Sequence, residues 1–201
     1  DVQSFYILPI LGTSLYNDVP GTLYYDWGAI FRYNPNTTQF QILTSFNPSI
    51  GNAKITNSTR ILYHSNGKLY IPLVNYTTTT SYIYELDITQ PTPIGLPFIT
   101  IPYQTGEIFL SEDTANLLGS NYIFGTTSLG GTFNNKGTIF RFVPNIPTPL
   151  FNIVYQFGSS TTILSENPSG PLLQSPTIGS YNIFYGVTNG STPTKQTLYK
   201  F

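Results

Sequence analysis

The chain has no cysteine and no methionine, and a single histidine and a single tryptophan among 201 residues. Without cysteine there are no disulfide staples and no thiolate metal ligands. With His64 alone, an imidazole-based catalytic or metal centre would need partners that no pattern in the chain marks. Charged side chains make up only 8% of the chain, the net charge is −1, and the eight Lys and Arg residues are scattered. A protein that neutralises phosphates needs a basic stripe, so nucleic acid is excluded as the main partner. No apolar run approaches the roughly 18 residues that span a bilayer, so no membrane insertion is expected. Stretches free of helix breakers are also missing. The 16 Pro and 17 Gly residues interrupt every window long enough for a sustained 3.6-residue period.

What is present is β composition. Aromatic residues reach 15%, with 16 Tyr and 14 Phe beside abundant Thr and Ile, and the apolar fraction of 40% is too high for a disordered chain. The stretch from Tyr122 to Phe142 reads as a hairpin, with strand-like runs either side of a Gly/Asn/Thr tract. Its second strand has the form aliphatic, aromatic, charged, apolar. That form recurs at Ile30-Phe31-Arg32-Tyr33, Ile83-Tyr84-Glu85-Leu86, Ile139-Phe140-Arg141-Phe142 and Leu198-Tyr199-Lys200-Phe201, at steps of 53, 56 and 59 residues. The strand before it repeats at Ser14 to Val19, Leu69 to Val74, Tyr122 to Thr127 and Ile183 to Thr188. A further strand follows at Phe40 to Phe46, Pro97 to Tyr103 and Leu150 to Phe157. Another precedes the hairpin at Phe5 to Ile10, Arg60 to Tyr63, Asn116 to Leu118 and Pro171 to Leu173. Meanders of about four strands at such a period are the mark of propeller blades. The expected fold is therefore one all-β, β-propeller-like domain over residues 1–201, an array of four repeats at approximately 1–46, 47–103, 104–157 and 158–201. The last repeat is incomplete, because no strand follows Phe201, and a neighbouring chain or a longer native chain is expected to complete it.

Several residues stand out chemically. Equal loop lengths align Gly21 with Gly130 and Gly28 with Gly137, which suits positions of positive φ. Trp27 reads as a lid on a neighbouring blade. Asn66-Gly67 is a hairpin signal, and Pro72 requires a bulge or an unpaired position. His64 reads as a surface or turn histidine. Leu110-Ser111-Glu112 and Leu164-Ser165-Glu166 match and are assigned to connections between blades. Glu112-Asp113, the only adjacent acids, lack the further oxygen ligands of a Ca²⁺ loop and read as a solvated acidic turn. No catalytic residue, metal site or cofactor is assigned, and nine acids without an organised pair make a glycosidase a poor reading. The repeated charged position, Arg32, Glu85, Arg141 and Lys200, shares a strand face with the aliphatic residue two places before it. It either rings one side of the array, pairing across blades, or snorkels at strand ends. Asn36, Asn57, Asn75 and Asn189 head N-glycosylation sequons.

Phe124-Gly125-Thr126-Thr127, Gly130-Gly131 and Gly137-Thr138-Ile139-Phe140 resemble the Tyr-Gly-Thr-Thr, Gly-Gly, Gly-Thr-Val-Phe signature of GloVer-type tandem repeats of large bacterial surface proteins. The match covers about 21 residues of the third repeat, is partial in the first and fourth, and is poor in the second. The resemblance implies a propeller-like, extracellular, non-catalytic array and carries no functional residues. Low Lys with high Tyr, Asn and Ile leaves another lineage open, such as a surface filament or virus particle protein. The expected role is structural or adhesive, on a cell surface or virus particle, with other protein subunits or surface glycans as partners. The alternatives are a subunit of a capsid or extracellular filament and, further off, a glycan-active propeller enzyme.

Overall fold

The computed structural model describes residues 29–34, 36–46, 55, 59–75, 80–103, 105–115, 121–144, 149, 151–158, 166–175, 183–190 and 196–201, and the main chain alone of residues 4–8 and 40. Among the described residues there is no helix, and fourteen strands form four antiparallel sheets. The first sheet holds β1 (Ser4–Leu8), β2 (Ala29–Asn34) and β3 (Gln39–Ser45). The second holds β4 (Leu62–Tyr63), β5 (Lys68–Leu73), β6 (Ser81–Asp87) and β7 (Ile94–Ile101). The third holds β8 (Ile108–Glu112), β9 (Ile123–Thr127), β10 (Thr138–Phe142) and β11 (Asn152–Gln156). The fourth holds β12 (Leu173–Gln174), β13 (Phe184–Asn189) and β14 (Gln196–Lys200). Each is a simple meander in chain order.

The four-residue motif falls on β2, β6, β10 and β14, and its alternation decides the packing. A strand sends successive side chains to opposite faces. The aliphatic residue points toward the next sheet and the aromatic residue toward the previous one. Thus Ile30 meets Tyr84 and Leu86 in one apolar cluster between the first and second sheets. Ile83 meets Phe140 and Phe142 between the second and third. Ile139 meets Phe184, with Tyr199 and Phe201 against them, between the third and fourth. Among the described residues the core is three clusters lying between consecutive sheets.

The three outer strands share a feature. The pairing of β2, β6 and β10 with β3, β7 and β11 shifts register between the aliphatic and the aromatic residue: Ile30/Phe31, Ile83/Tyr84 and Ile139/Phe140. Each shift leaves one extra residue on the outer strand, at Leu43, Phe98 and Val154, and such bulges re-aim side chains. Leu43 and Phe98 are turned into the clusters facing the next sheet.

Four expectations change. Glu112 and its neighbours are strand β8 itself rather than a connection between blades. The first strand of the third unit is therefore 108–112, not Asn116 to Leu118, which lies outside the described residues. In the first sheet β1 pairs directly with β2, Ser4 opposite Tyr33, and occupies the place expected of Ser14 to Val19. Residues 14–19, with Gly21, Trp27 and Gly28, are outside the described residues. The strand expected at Pro97 to Tyr103 begins and ends earlier, as β7. The Asn66-Gly67 hairpin forms with Gly67 N–H donating to the His64 carbonyl at 2.9 Å. Only Gly67 has positive φ there, 82°, so the loop is a turn followed by a left-handed glycine, longer than the two-residue form Asn-Gly favours. β4 reaches only to Tyr70 on β5, so Pro72 needs no β4 partner.

The glycine of Phe-Gly-Thr-Thr is explained by its cross-strand neighbour. Gly125 pairs with Phe140, whose ring lies over it so closely that an added Cβ would sit 2.1 Å from the ring. Gly186 stands in the same relation to Tyr199, at 2.2 Å. In the second sheet that place is Ile71, and the Tyr84 ring lies instead against Gly95 on the other neighbouring strand. Gly125→Val is expected to lower unfolding stability by about 1–3 kcal/mol in urea titration, the usual penalty of overpacking. Gly170→Ala, where nothing lies within 4 Å, should change it by no more than about 0.5 kcal/mol.

Candidate functional site

The polar side chains capable of chemistry gather where β8 ends. β8 closes with Glu112 and runs into Asp113, and the two acids reach opposite ways. Glu112 turns to the second sheet, where its Oε1 accepts from the Ser65 N–H at 3.2 Å and stands 3.4 Å from His64 Nε2. His64 is fully buried. Its Nδ1 accepts from the Asn66 N–H at 3.1 Å, which places the ring proton on Nε2, facing Glu112. The ring edge meets Tyr70 at 5.8 Å. His64 opens the hairpin turn, as one of its two expected readings had it, but it is buried and not at the surface, and the acid 3.4 Å from its Nε2 lies 48 residues ahead in the chain, on a strand expected to be a loop.

Asp113 turns to the fourth sheet. It is 1% exposed, and its Oδ1 accepts from Gln174 Nε2 at 2.8 Å and from the Ala115 N–H at 3.2 Å. Gln174 Oε1 in turn accepts from the Thr114 N–H at 2.9 Å and hydroxyl at 2.7 Å. The solvated acidic turn expected at Glu112-Asp113 is corrected to a buried tie between three sheets. Two hydroxyls continue it, Ser111 donating to the Leu172 carbonyl at 2.8 Å and Thr126 to the Gly170 carbonyl at 2.9 Å. At the far end of the third hairpin, Lys136 pairs with Glu166 at 2.6 Å, and the Asn167 N–H donates to the Lys136 carbonyl at 2.8 Å. Gly130 and Gly137, with φ of 95° and 97°, shape this loop as expected.

The contacts seen for Arg32, Glu85 and Arg141 lie within their own units. Arg32 donates to Gln41 on the adjacent strand at 2.6 Å. Arg141 lies 4.7 Å over the Tyr122 ring. Glu85 is buried, bonded by Lys68 at 2.7 Å and by the Tyr70 hydroxyl at 2.8 Å. Lys200 is exposed at the end of β14. The shared face with the aliphatic residue holds: Glu85 pairs with Tyr70 and Ile83 with Pro72, one face of one sheet. Burial pushes the Tyr70 phenol far above its ordinary range, against the bond from Asn66 and with help from Glu85. Burial alone raises the Tyr199 phenol, whose hydroxyl has no hydrogen-bond partner among the described residues.

The sequons divide. Asn36 and Asn189 are exposed, whereas Asn75 is fully buried with its N–H directed at Ser81 Oγ, 3.5 Å away, which leaves no room for a glycan in the folded chain. Asn57 is outside the described residues. Among the described residues no three His, Asp or Glu side chains group as metal ligands. The arrangement can hold sheets in register. Replacing Asp113 by Ala strips a buried acceptor from two half-buried donors, and a loss of about 2 kcal/mol in urea titration is expected. Gln174→Ala should then add much less than it costs alone, since the two share one bond. A cost below about 0.5 kcal/mol for Asp113→Ala would contradict the tie.

No family model matches the chain, and neither a curated protein nor a solved structure matches it.

Proposed function

We propose that this chain is a non-catalytic structural or adhesive protein, a β-propeller-like array acting at a cell surface or on a virus particle. One observation carries the reading: the adjacent acids Glu112 and Asp113 and the lone histidine are engaged between one sheet and the next, Glu112 with His64 and Ser65, and Asp113 with Gln174. A catalytic site sets such groups against a space that a substrate enters. Here they are used for architecture, leaving exposed strand faces and loops, with Asn36, Asn189 and Thr132 at the surface, for protein or glycan contact. Tyr and Asn give rigid contact area and adaptable hydrogen bonding in such surfaces.

A second reading, a subunit of a capsid or filament, is favoured by the fourth sheet. Among the described residues β14 is its edge, while β2, β6 and β10 each carry a further strand. The proposal includes a fourth strand added at that edge, by a neighbouring chain or a longer native polypeptide.

Incubation of the purified chain with a glycan array and with soluble polysaccharides tests the reading. Retention of ligand without consumption is the expected result. Steady turnover that disappears in a folded Glu112→Ala, Asp113→Ala variant would overturn it.

A further inference from the structure

Asn36, Asn75 and Asn189 differ in what the backbone around each can release. A glycan is bulky and must end in water, and the enzyme that transfers it has to draw several residues of the acceptor segment out of their contacts in the fold. Asn75 fails on the first count. It is fully buried, and its N–H faces Ser81 Oγ at 3.5 Å. Asn189 fails on the second. It is exposed, but it closes β13, pairs with Gln196 on β14, and donates its N–H to the Asn167 carbonyl at 2.9 Å. Freeing it breaks bonds on both sides of the strand.

Asn36 meets both conditions. It lies at the tip of the β2–β3 hairpin, beyond Asn34 and Gln39, the last pair of the ladder. Asn36, Thr37 and Thr38 are all exposed. The bonds that shape the tip are local. The Asn36 and Thr37 N–H groups donate to Asn34 Oδ1 at 3.0 and 3.3 Å, and the Thr38 hydroxyl donates to the Thr37 carbonyl at 2.7 Å. One side chain thus holds the turn, and releasing it breaks no bond of the ladder. Thr38, with φ of 55°, sits in the left-handed region that a β-branched residue disfavours, so opening the tip also relieves strain.

Building on the surface-protein reading, we propose that Asn36 is a glycan acceptor of this chain, modified on the folded molecule, and that Asn75 stays bare. The donor is an oligosaccharide carried on a polyprenyl diphosphate. The Asn36 carboxamide nitrogen attacks the anomeric carbon and gives up one proton to water. The new C–N bond replaces the C–O bond to the diphosphate, which leaves with the lipid. The Thr38 hydroxyl is the part of the sequon that the transferase reads two residues on. A sugar at this tip extends among exposed polar residues, away from the apolar cluster that the first sheet shares with the second.

The test is transfer to the purified, unglycosylated full chain by an oligosaccharyltransferase and its polyprenyl-diphosphate donor, read by peptide mass mapping. The peptide that holds Asn36 is expected to gain the glycan. Asn36→Gln should abolish this. Thr38→Ala, which leaves the acceptor nitrogen in place, should abolish it too, and Thr38→Ser should restore it. All three changes fall in an exposed turn, so circular dichroism should match the parent. In the chain taken from its native source, the same peptide should carry the sugar. Asn36 left bare in either experiment, Asn189 modified in its stead, a glycan on Asn75 of the folded chain, or full transfer to Thr38→Ala would each overturn the proposal. Transfer depends neither on what the chain retains on a glycan array nor on turnover, so a failure of the structural or adhesive reading shows separately.

Discussion

The structure rests on a two-sided packing demand. A strand shows one side chain up and the next down, and in this chain both sides are apolar, so a sheet alone leaves one face in water. Each motif strand meets the demand twice, with an aliphatic residue toward the following sheet and an aromatic residue toward the preceding one. Burying one such side chain contributes about 1.5–3 kcal/mol, and the motif supplies two or three per interface. The sheets therefore support one another in sequence, each incomplete without its neighbours. The same demand accounts for the close glycines: an aromatic ring that reaches the previous sheet must lie over the strand beside it, and at Gly125 and Gly186 only the lack of a side chain allows this.

Apolar packing alone fixes little about how one sheet slides on another. The polar ties do this at the ends of the strands. Glu112 and Asp113, adjacent in sequence, diverge to the second and fourth sheets because the strand's alternation sends them opposite ways. Asp113 finds two donors, whereas His64 Nε2 stands 3.4 Å from Glu112 Oε1 without forming a hydrogen bond. Ser111 and Thr126 perform the same service for carbonyls at Leu172 and Gly170, so the third sheet is pinned on the fourth by side chain to main chain contacts.

Much of the architecture was legible in the chain. The fourfold motif located β2, β6, β10 and β14, and the face shared by Ile83 and Glu85 followed from alternation. What was hidden depended on contacts distant in sequence. His64 looked solitary because Glu112 lies in another unit, and Glu112 looked like a turn because two adjacent acids suit water better than a strand end. The bulges at Leu43, Phe98 and Val154 leave no local mark, since each extra residue is another apolar member of an apolar run. Sequence length aligned Ser14 to Val19 with β9, but the strand beside β2 is β1. Asn75 carried a sequon that burial empties of meaning, a fact set by the strand it adjoins rather than by the triplet.

The central claim is that the motif's aliphatic residue is the peg joining each sheet to the next. It is tested most directly by one series of urea titrations on Ile30→Ala, Ile83→Ala, Ile139→Ala and Leu198→Ala. The first three should each lose about 2–5 kcal/mol, the cost of emptying a packed site. Leu198→Ala should lose no more than about 0.5 kcal/mol, since its side chain stands in water. Four equal losses, or a small loss at Ile83 and Ile139, would contradict the account.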